Sequence, residues 1–383
     1  MTSHAFTGAR LFDGERWHDE SALLLGDDGV AGIVPASEAG ADAVRLDGGM
    51  LVPGFLDLQV NGGGGILLND SPTVEGLATI CAAQAPYGVT ALLPTLITDT
   101  REITAATIAA GIAAAEAGLP GFLGLHLEGP HLSLARKGAH DPALIRPMDG
   151  ADLAALVAAR PKLPNLLATV AAETVDPQQI ARLSAAGIVV SIGHSDAGYA
   201  AVEAAAGAGA TMATHLFNAM SQIGNREPGV AGAAISDGRL HAGLIADGIH
   251  VHPETIGIAL RAKRGPGRIF LVTDAMAVAG TDLASFTLNG RTIHRANGAL
   301  RLEDGTLAGA DLAMIDAIRF MHRTIGLTLE ESLRMATVYP AEAIGVSARH
   351  GRLGQGSAAD FVHLSDDLQV RGTWIGGRQV FAA

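Results

Sequence analysis

Between residues 54 and 272, short apolar runs alternate with Ala-rich stretches whose polar positions recur at helical spacing. The runs fall at 54–60, 89–94, 122–127, 166–170, 188–192, 211–214, 242–246 and 269–272. Helices are expected near 74–86, 102–117, 151–159, 177–186, 197–207 and 253–263; the connections around 220–236 and just before 242 are less clearly helical. Short runs that are apolar throughout suit strands buried on both faces. Eight strands in βα alternation call for a parallel sheet with crossover helices. Eight such units in about 220 residues suit a (β/α)8 TIM barrel. An open doubly wound sheet is the alternative, but no Gly-x-Gly-x-x-Gly turn follows a strand.

The flanks have a different pattern. Residues 6–12 and 21–25 read as strands, with turns at Asp13-Gly14, Asp27-Asp28-Gly29 and Asp47-Gly48-Gly49. The tail is again strand and turn, at 360–364, 370–374 and 378–381. Residues 283–302 read as a hairpin insertion with turns at Asn289-Gly290 and Asn297-Gly298. Helical patterns return at 311–325 and 329–344. The expected architecture is therefore a barrel plus a small β-sandwich domain formed by both termini. Its division is 1–52 for the N-terminal part of the small domain, 53–345 for the barrel and 346–383 for the C-terminal part.

Composition narrows the class. Of 383 residues, 48 % are apolar, enough for a large core. With 26 basic and 39 acidic side chains the net charge is −13, and only 4 % of residues are aromatic. That balance argues against nucleic acid as a partner. No apolar run approaches the roughly 18 residues of a membrane span, and the Met1-Thr2-Ser3-His4 start has no secretory pattern. A soluble cytoplasmic protein is expected. Cys81 is the only cysteine, so a disulfide framework and a Cys-rich zinc site are both excluded. It sits on an apolar helical face and reads as core.

Eight of the fourteen histidines lie between residues 126 and 252, several at the C-terminal ends of the apolar runs. Barrel enzymes carry their chemistry there. Glu128, His194 and His215 each end a different run. Two imidazoles and a carboxylate form a ligand set for Zn²⁺ that leaves a position open for water, and the set also suits Fe²⁺. Asp274 ends the eighth run and reads as a general base beside that water. His140 follows the third run and is placed to polarise a substrate carbonyl. With only three lysines in the chain, Arg226 and His250 are the local donors available to an anionic substrate. His126, His131 and His252 read as structural or supporting residues. The Gly62-Gly63-Gly64-Gly65 run lacks the Lys-Ser/Thr of a phosphate loop.

Taken in order, these stretches resemble the N-acetylglucosamine-6-phosphate deacetylases of the amidohydrolase superfamily. The resemblance spans nearly the whole chain, from Pro53-Gly54-Phe55-Leu56-Asp57 through His126-Leu127-Glu128-Gly129-Pro130 and Gly193-His194-Ser195. It continues with Thr214-His215-Leu216-Phe217-Asn218-Ala219-Met220, Arg226-Glu227-Pro228-Gly229, Asp247-Gly248-Ile249-His250 and Thr273-Asp274-Ala275. It implies hydrolysis of the acetamide of an amino-sugar phosphate. Glu128, His194 and His215 would be metal ligands and Asp274 the acid/base. Ala139, His140, Asn218, Ala219, Arg226, His250, Leu307, Ala308 and Gly309 would line the substrate site. It also implies a homodimer, with the phosphate gripped partly across the interface.

Many amidohydrolases carry a His-x-His pair at the end of the first strand. Here that position reads Gln59-Val60-Asn61. Carboxamides are poor zinc ligands beside imidazole, so one divalent ion per chain is expected. Gln59 is expected to hydrogen-bond substrate or water rather than to hold a second ion. Asp274 would take a proton from the water and later protonate the departing amine, while the ion and His140 stabilise the oxyanion. Three alternatives stay open: another amidohydrolase activity, the galactosamine epimer as substrate, and a non-catalytic sugar-phosphate sensor.

Overall fold

The computed structural model describes residues 4–383. Its centre is an eight-stranded parallel sheet whose spatial order follows the chain. The strands are β1 (Phe55–Val60), β2 (Val89–Ile97), β3 (Leu125–Glu128), β4 (Leu166–Val170), β5 (Val189–Ile192), β6 (Met212–Ala213), β7 (His241–Leu244) and β8 (Ile269–Leu271). All eight expected strands are present. Each is buried along almost its whole length, which is why they read as apolar runs rather than as alternation. Between β8 and β1 the contact is one parallel bridge, Val60 to Ala275, with Asp274 N–H donating to the Gln59 carbonyl over 3.0 Å. The barrel closes there.

The expected helices form at Val74–Gln84, Arg101–Glu116, Gly150–Ala159, Pro177–Ala185, Tyr199–Gly207 and Pro253–Ala262. Five of these six starts carry a side-chain cap; the Tyr199–Gly207 helix, which follows Gly198, does not. Asp149 and Asp176 make full capping boxes, and Thr73 and Thr100 each accept one backbone N–H. A further helix, Gly229–Ser236, fills one of the connections that showed no clear period. Seven of its eight residues are buried, so it has no polar face to reveal it. The single helix expected over 329–344 is two, Leu329–Ala336 and Val338–Ala343. Thr337 (φ −130°, ψ −77°) breaks it, just before Pro340, which has no N–H to continue the ladder.

The termini build two further sheets. One has six strands in the order Arg378–Ala382, Val370–Ile375, Phe361–Leu364, Met50–Pro53, Arg10–Phe12, Trp17–His18. The other has four, Gly29–Pro35, Ser21–Gly26, His4–Thr7 and Val44–Arg45. Residues 6–12, expected as one strand, therefore divide between two sheets. Gly8 makes the break: its φ is +84°, and a Cβ there would lie 2.3 Å from the Leu46 carbonyl oxygen. Strand alternation gives the six-stranded sheet two apolar faces. Leu51, Phe361 and Trp374 face the sandwich core with Phe6 and Leu23, whereas Met50, Val52 and Val362 join the barrel core. Phe361 and Trp374 stack at 4.9 Å between centroids. The small domain is thus a sandwich whose outer sheet face is shared with the barrel.

The insertion forms as expected and is larger. Ser285–Leu288, Arg291–Ala296 and Ala299–Leu302 pair in sequence and are joined by Leu307–Ala310. Asn289 (φ 49°) with Gly290 (φ 74°), and Asn297 (φ 53°) with Gly298 (φ 73°), hold the positive φ pairs that tight hairpins need. The fourth strand returns the chain to the barrel seam, where Ala310 N–H donates to the Asp274 carbonyl over 2.9 Å. Arg291 reaches across to the Ala139 carbonyl and so pins the insertion over the C-terminal mouth of the barrel. Among the described residues, no helix is long and apolar enough to cross a membrane.

Candidate active site

A cavity of about 320 Å³ opens at the C-terminal ends of the strands, under the insertion. Glu128 is the last residue of β3; His194 and His215 follow β5 and β6, and Asp274 follows β8. The chain leaves the strands sharply at three of these points. His194 (φ 47°), His215 (φ 29°) and Asp274 (φ 52°) are all left-handed, as are Phe217 (φ 73°) and Ala219 (φ 46°). Such backbone costs roughly 1–3 kcal/mol per residue and gathers at functional sites.

Glu128, His194 and His215 meet at one point. Glu128 Oε1 lies 3.3 Å from His194 Nε2 and 3.2 Å from His215 Nε2, and the two imidazole nitrogens are 3.0 Å apart. Ligand atoms about 2.0–2.1 Å from a tetrahedral ion would be separated by about 3.3 Å. His194 Nδ1 bonds the Arg136 carbonyl at 2.8 Å. A carbonyl only accepts, so Nδ1 carries a proton, and a bound cation would displace any proton on Nε2 and take its lone pair at the shared point. His215 Nδ1 is buried with no hydrogen-bond partner. The donor set fits a divalent cation, and three protein ligands leave a coordination position open. Burial opposes ionisation of Glu128, yet hydrogen bonds and charge from His194 and His215 prevail and hold it well below the usual carboxylate range.

Asp274 faces this cluster across the cavity. Burial and the neighbouring Glu128 charge push its carboxyl up to about 6, against His215, an Asn61 hydrogen bond and His250. Gln59 lies beneath both acids. Its amide nitrogen donates to Glu128 Oε1 at 3.0 Å and to Asp274 Oδ1 at 3.2 Å. Asn61 donates to the same Asp274 oxygen at 2.6 Å. The two carboxamides therefore spend their N–H groups on carboxylates.

His140 is buried, with its ring centroid 4.3 Å from that of His194. Burial, then the His194 charge, holds its pKa well below the usual imidazole value, so the ring is neutral. Its Nδ1 lies 2.8 Å from Thr98 Oγ1, and its Nε2 is 3.9 Å from Glu128 Oε2. The single Thr98 hydroxyl proton has two acceptors in reach, Nδ1 and the Glu128 backbone carbonyl at 3.2 Å. Donated to Nδ1, it leaves the ring proton on Nε2, which can then donate; donated to the carbonyl, it leaves the ring proton on Nδ1. His250 bonds Asp247 Oδ2 through Nδ1 at 2.6 Å. The Asp247 carboxylate fixes that proton on Nδ1 and orients the ring at the cavity wall.

Ala139, His140, Asn218, Ala219, His250, Leu307, Ala308 and Gly309 all line the cavity with the metal cluster and Asp274. Gly309 must be glycine: its φ is +67°, and a Cβ would sit 2.4 Å from Met276 Cγ. Gln59 lies below the lining. Arg226 is not brought in at all, because it is exposed on the loop before the Gly229–Ser236 helix. His126, His131 and His252 are engaged in structural bonds. His126 is held between Thr95 Oγ1 (3.2 Å) and Thr169 Oγ1 (2.7 Å), His131 bonds the Arg146 carbonyl (3.1 Å), and His252 caps a helix. Burial pushes His126 down to about 4.

Sequence reasoning passed over Asp247, Thr98 and Arg136. Asp247 stands three residues before His250, a spacing that could have revealed it. Thr98 and Arg136 carry no local signal, since their partners are distant in the chain.

Fold and site together define a (β/α)8 barrel hydrolase with a buried Glu-His-His cluster that can hold a metal and a buried carboxylate facing it. The chain belongs to the amidohydrolase family, whose profile matches residues 50–380. It is 40 % identical to the N-acetylgalactosamine-6-phosphate deacetylase of Shewanella sp. (strain ANA-3), over 98 % of this chain and 95 % of that one. It is 35 % identical to the N-acetylglucosamine-6-phosphate deacetylase of Haemophilus influenzae, over 93 % and 94 %. The crystal structure of N-acetylglucosamine-6-phosphate deacetylase from Pasteurella multocida superposes with a TM-score of 0.95, at 33 % identity and 100 % coverage of both chains.

Proposed function

We propose that this chain hydrolyses N-acetyl-D-glucosamine 6-phosphate to D-glucosamine 6-phosphate and acetate. The observation that carries the reading is the convergence of Glu128 Oε1, His194 Nε2 and His215 Nε2 within 3.3 Å of one another, with Asp274 on the same cavity. Those three residues would hold one divalent ion, Zn²⁺ or Fe²⁺, which when bound lowers the pKa of water and polarises a carbonyl. Asp274 takes a proton from the attacking water and delivers it to the departing amine nitrogen. His140 donates from Nε2 to the developing oxyanion, in the tautomer in which the Thr98 hydroxyl turns to Nδ1. Gln59 orients both carboxylates from below the cavity lining. Ala139, Asn218, Ala219, Leu307, Ala308 and Gly309 shape the sugar pocket.

His250 and Arg226 hold the 6-phosphate. Arg226 lies outside its own chain's cavity, which is compatible with its acting from a second copy, and we take the working assembly to be a homodimer in the cytoplasm. We also take 1–52, 53–345 and 346–383 as the domain division.

The galactosamine epimer is the second reading, favoured by the 40 % identical Shewanella relative. The deciding experiment is amine release from both epimers, with protein stripped of metal and then titrated with Zn²⁺ or Fe²⁺. Release from the glucosamine substrate, saturating near one ion per chain, supports the proposal. A preference for the galactosamine substrate would move it to the second reading. No amine from either at any loading would overturn both and leave a sugar-phosphate sensor.

A further inference from the structure

The barrel seam holds a buried carboxylate that neither the metal cluster nor the proton transfers use. Asp57, inside β1, is fully buried. It accepts from Gln59 N–H at 3.2 Å, from Thr273 N–H at 3.2 Å, and from the Thr273 hydroxyl. That hydroxyl in turn accepts from Ala275 N–H at 3.2 Å. The residues on both sides of Asp274 are thus tied, directly or through one hydroxyl, to a single side chain on the opposite strand. Gln59, tied to the same side chain, bonds Asp274 twice: its carbonyl accepts Asp274 N–H at 3.0 Å, and its amide donates to Asp274 Oδ1 at 3.2 Å.

The seam needs such a tie. Elsewhere in the barrel, neighbouring strands pair through ladders of at least two residues, but β8 ends at Leu271 without pairing with β1. Only the segment beyond it meets β1, through the Val60–Ala275 bridge and the main-chain bonds from Asp274 N–H to the Gln59 carbonyl (3.0 Å) and from Asn61 N–H to the Ala275 carbonyl (2.8 Å). Asp274 stands beyond that end with φ +52°, a conformation that persists only when its surroundings hold it. Burying a carboxylate is costly; burial pushes Asp57 up to about 7 even against the Thr273 and Gln59 bonds. An apolar side chain would close a barrel at less cost. It would not accept three hydrogen bonds from residues flanking the site.

We propose that Asp57 is a positioning residue for the reaction, clamping the 273–275 segment so that Asp274 faces the metal cluster. The inference rests on the deacetylase reading, and the experiment separates the two. Amine release, KM and bound metal are measured for the wild type and for Asp57→Asn, Thr273→Val and Thr273→Ser, the last keeping the hydroxyl. A positioning fault of this kind costs about 10²-fold in kcat. That loss is expected in Asp57→Asn and Thr273→Val, with KM and metal content held within about twofold. Thr273→Ser should recover most of the rate. The double variant should be little worse than either single one, because both cut the same tie.

An active wild type with Asp57→Asn unimpaired overturns the inference and leaves the deacetylase reading intact. So does a loss that falls wholly on KM or on bound metal. An inactive wild type sinks the underlying reading and the inference with it. Should Asp57→Asn fail to fold, the Thr273→Val and Thr273→Ser pair decides: equal rates in the two overturn the clamp.

Discussion

Asn61 Nδ2 donates to Asp274 Oδ1 over 2.6 Å, while Asn61 Oδ1 is buried without a partner. The carboxamide thus spends its donor on stabilising the charged form of Asp274. Burial and Glu128 raise the Asp274 pKa to about 6, and the Asn61 bond works against them. The base form is the ionised one, so kcat/KM should rise with pH through an acid limb and reach its plateau above it. A bound cation would pull the limb below 6 by its charge. Asn61→Leu removes the donor at similar volume. Its limb should move to higher pH, as read from kcat/KM profiles at saturating metal. A limb that stays in place or moves down would show that the bond does not stabilise the carboxylate.

Asp274→Asn tests the proton transfers themselves. The amide keeps the shape but neither accepts the water proton nor supplies one to the amine. Removing a general acid/base group costs about 10²–10⁴-fold, and kcat should fall in that range. Bound metal should be unchanged, because Glu128, His194 and His215 meet without Asp274. Metal analysis beside steady-state kinetics checks both halves of the expectation.

Much of this site was legible in the sequence because each key residue ends an apolar run. Glu128 closes the run of β3, and counting strand ends brings it beside His194, His215 and Asp274. The hairpin turns were legible for a related reason: Asn-Gly pairs have few other uses. What stayed hidden depends on partners far apart in the chain. The bonds from Gln59 to Glu128 and from Thr273 to Asp57 join residues separated by 69 and 216 positions. The Gly229–Ser236 helix was hidden for the opposite reason, since burial on every side erased its period. Arg226 shows a third limit. Its motif is readable, yet its place in one chain is on the surface.

Stripping metal should remove activity and also stability. His194 Nε2 and His215 Nε2 stand 3.0 Å apart around one carboxylate oxygen, a donor set a bound cation would hold together. A ligand that binds only the folded state at 100 times its Kd adds about 2.7 kcal/mol. Chelated protein should therefore melt several degrees lower, with both melting temperature and turnover restored as Zn²⁺ or Fe²⁺ is returned. Turnover that survives chelation with no change in melting would remove the metal from the scheme.

Arg226 allows the homodimer to be tested by mixing. If it serves the partner's cavity, Arg226→Ala and Asp274→Asn chains are each inactive alone for different reasons. In a mixed dimer the Arg226→Ala chain keeps its own Asp274 and receives Arg226 from its partner, so one of the two cavities is complete. Random re-pairing of equal amounts puts about half the molecules in mixed dimers, and about a quarter of all cavities should then work. Amine release near a quarter of the wild-type rate, appearing only after dissociation and reassembly, is the expected outcome. If Arg226 served its own chain, every cavity in the mixture would lack one of the two groups and no activity would return. A monomer by light scattering would exclude the cross-chain role directly, and His250 with its Asp247 partner would be left to hold the phosphate alone.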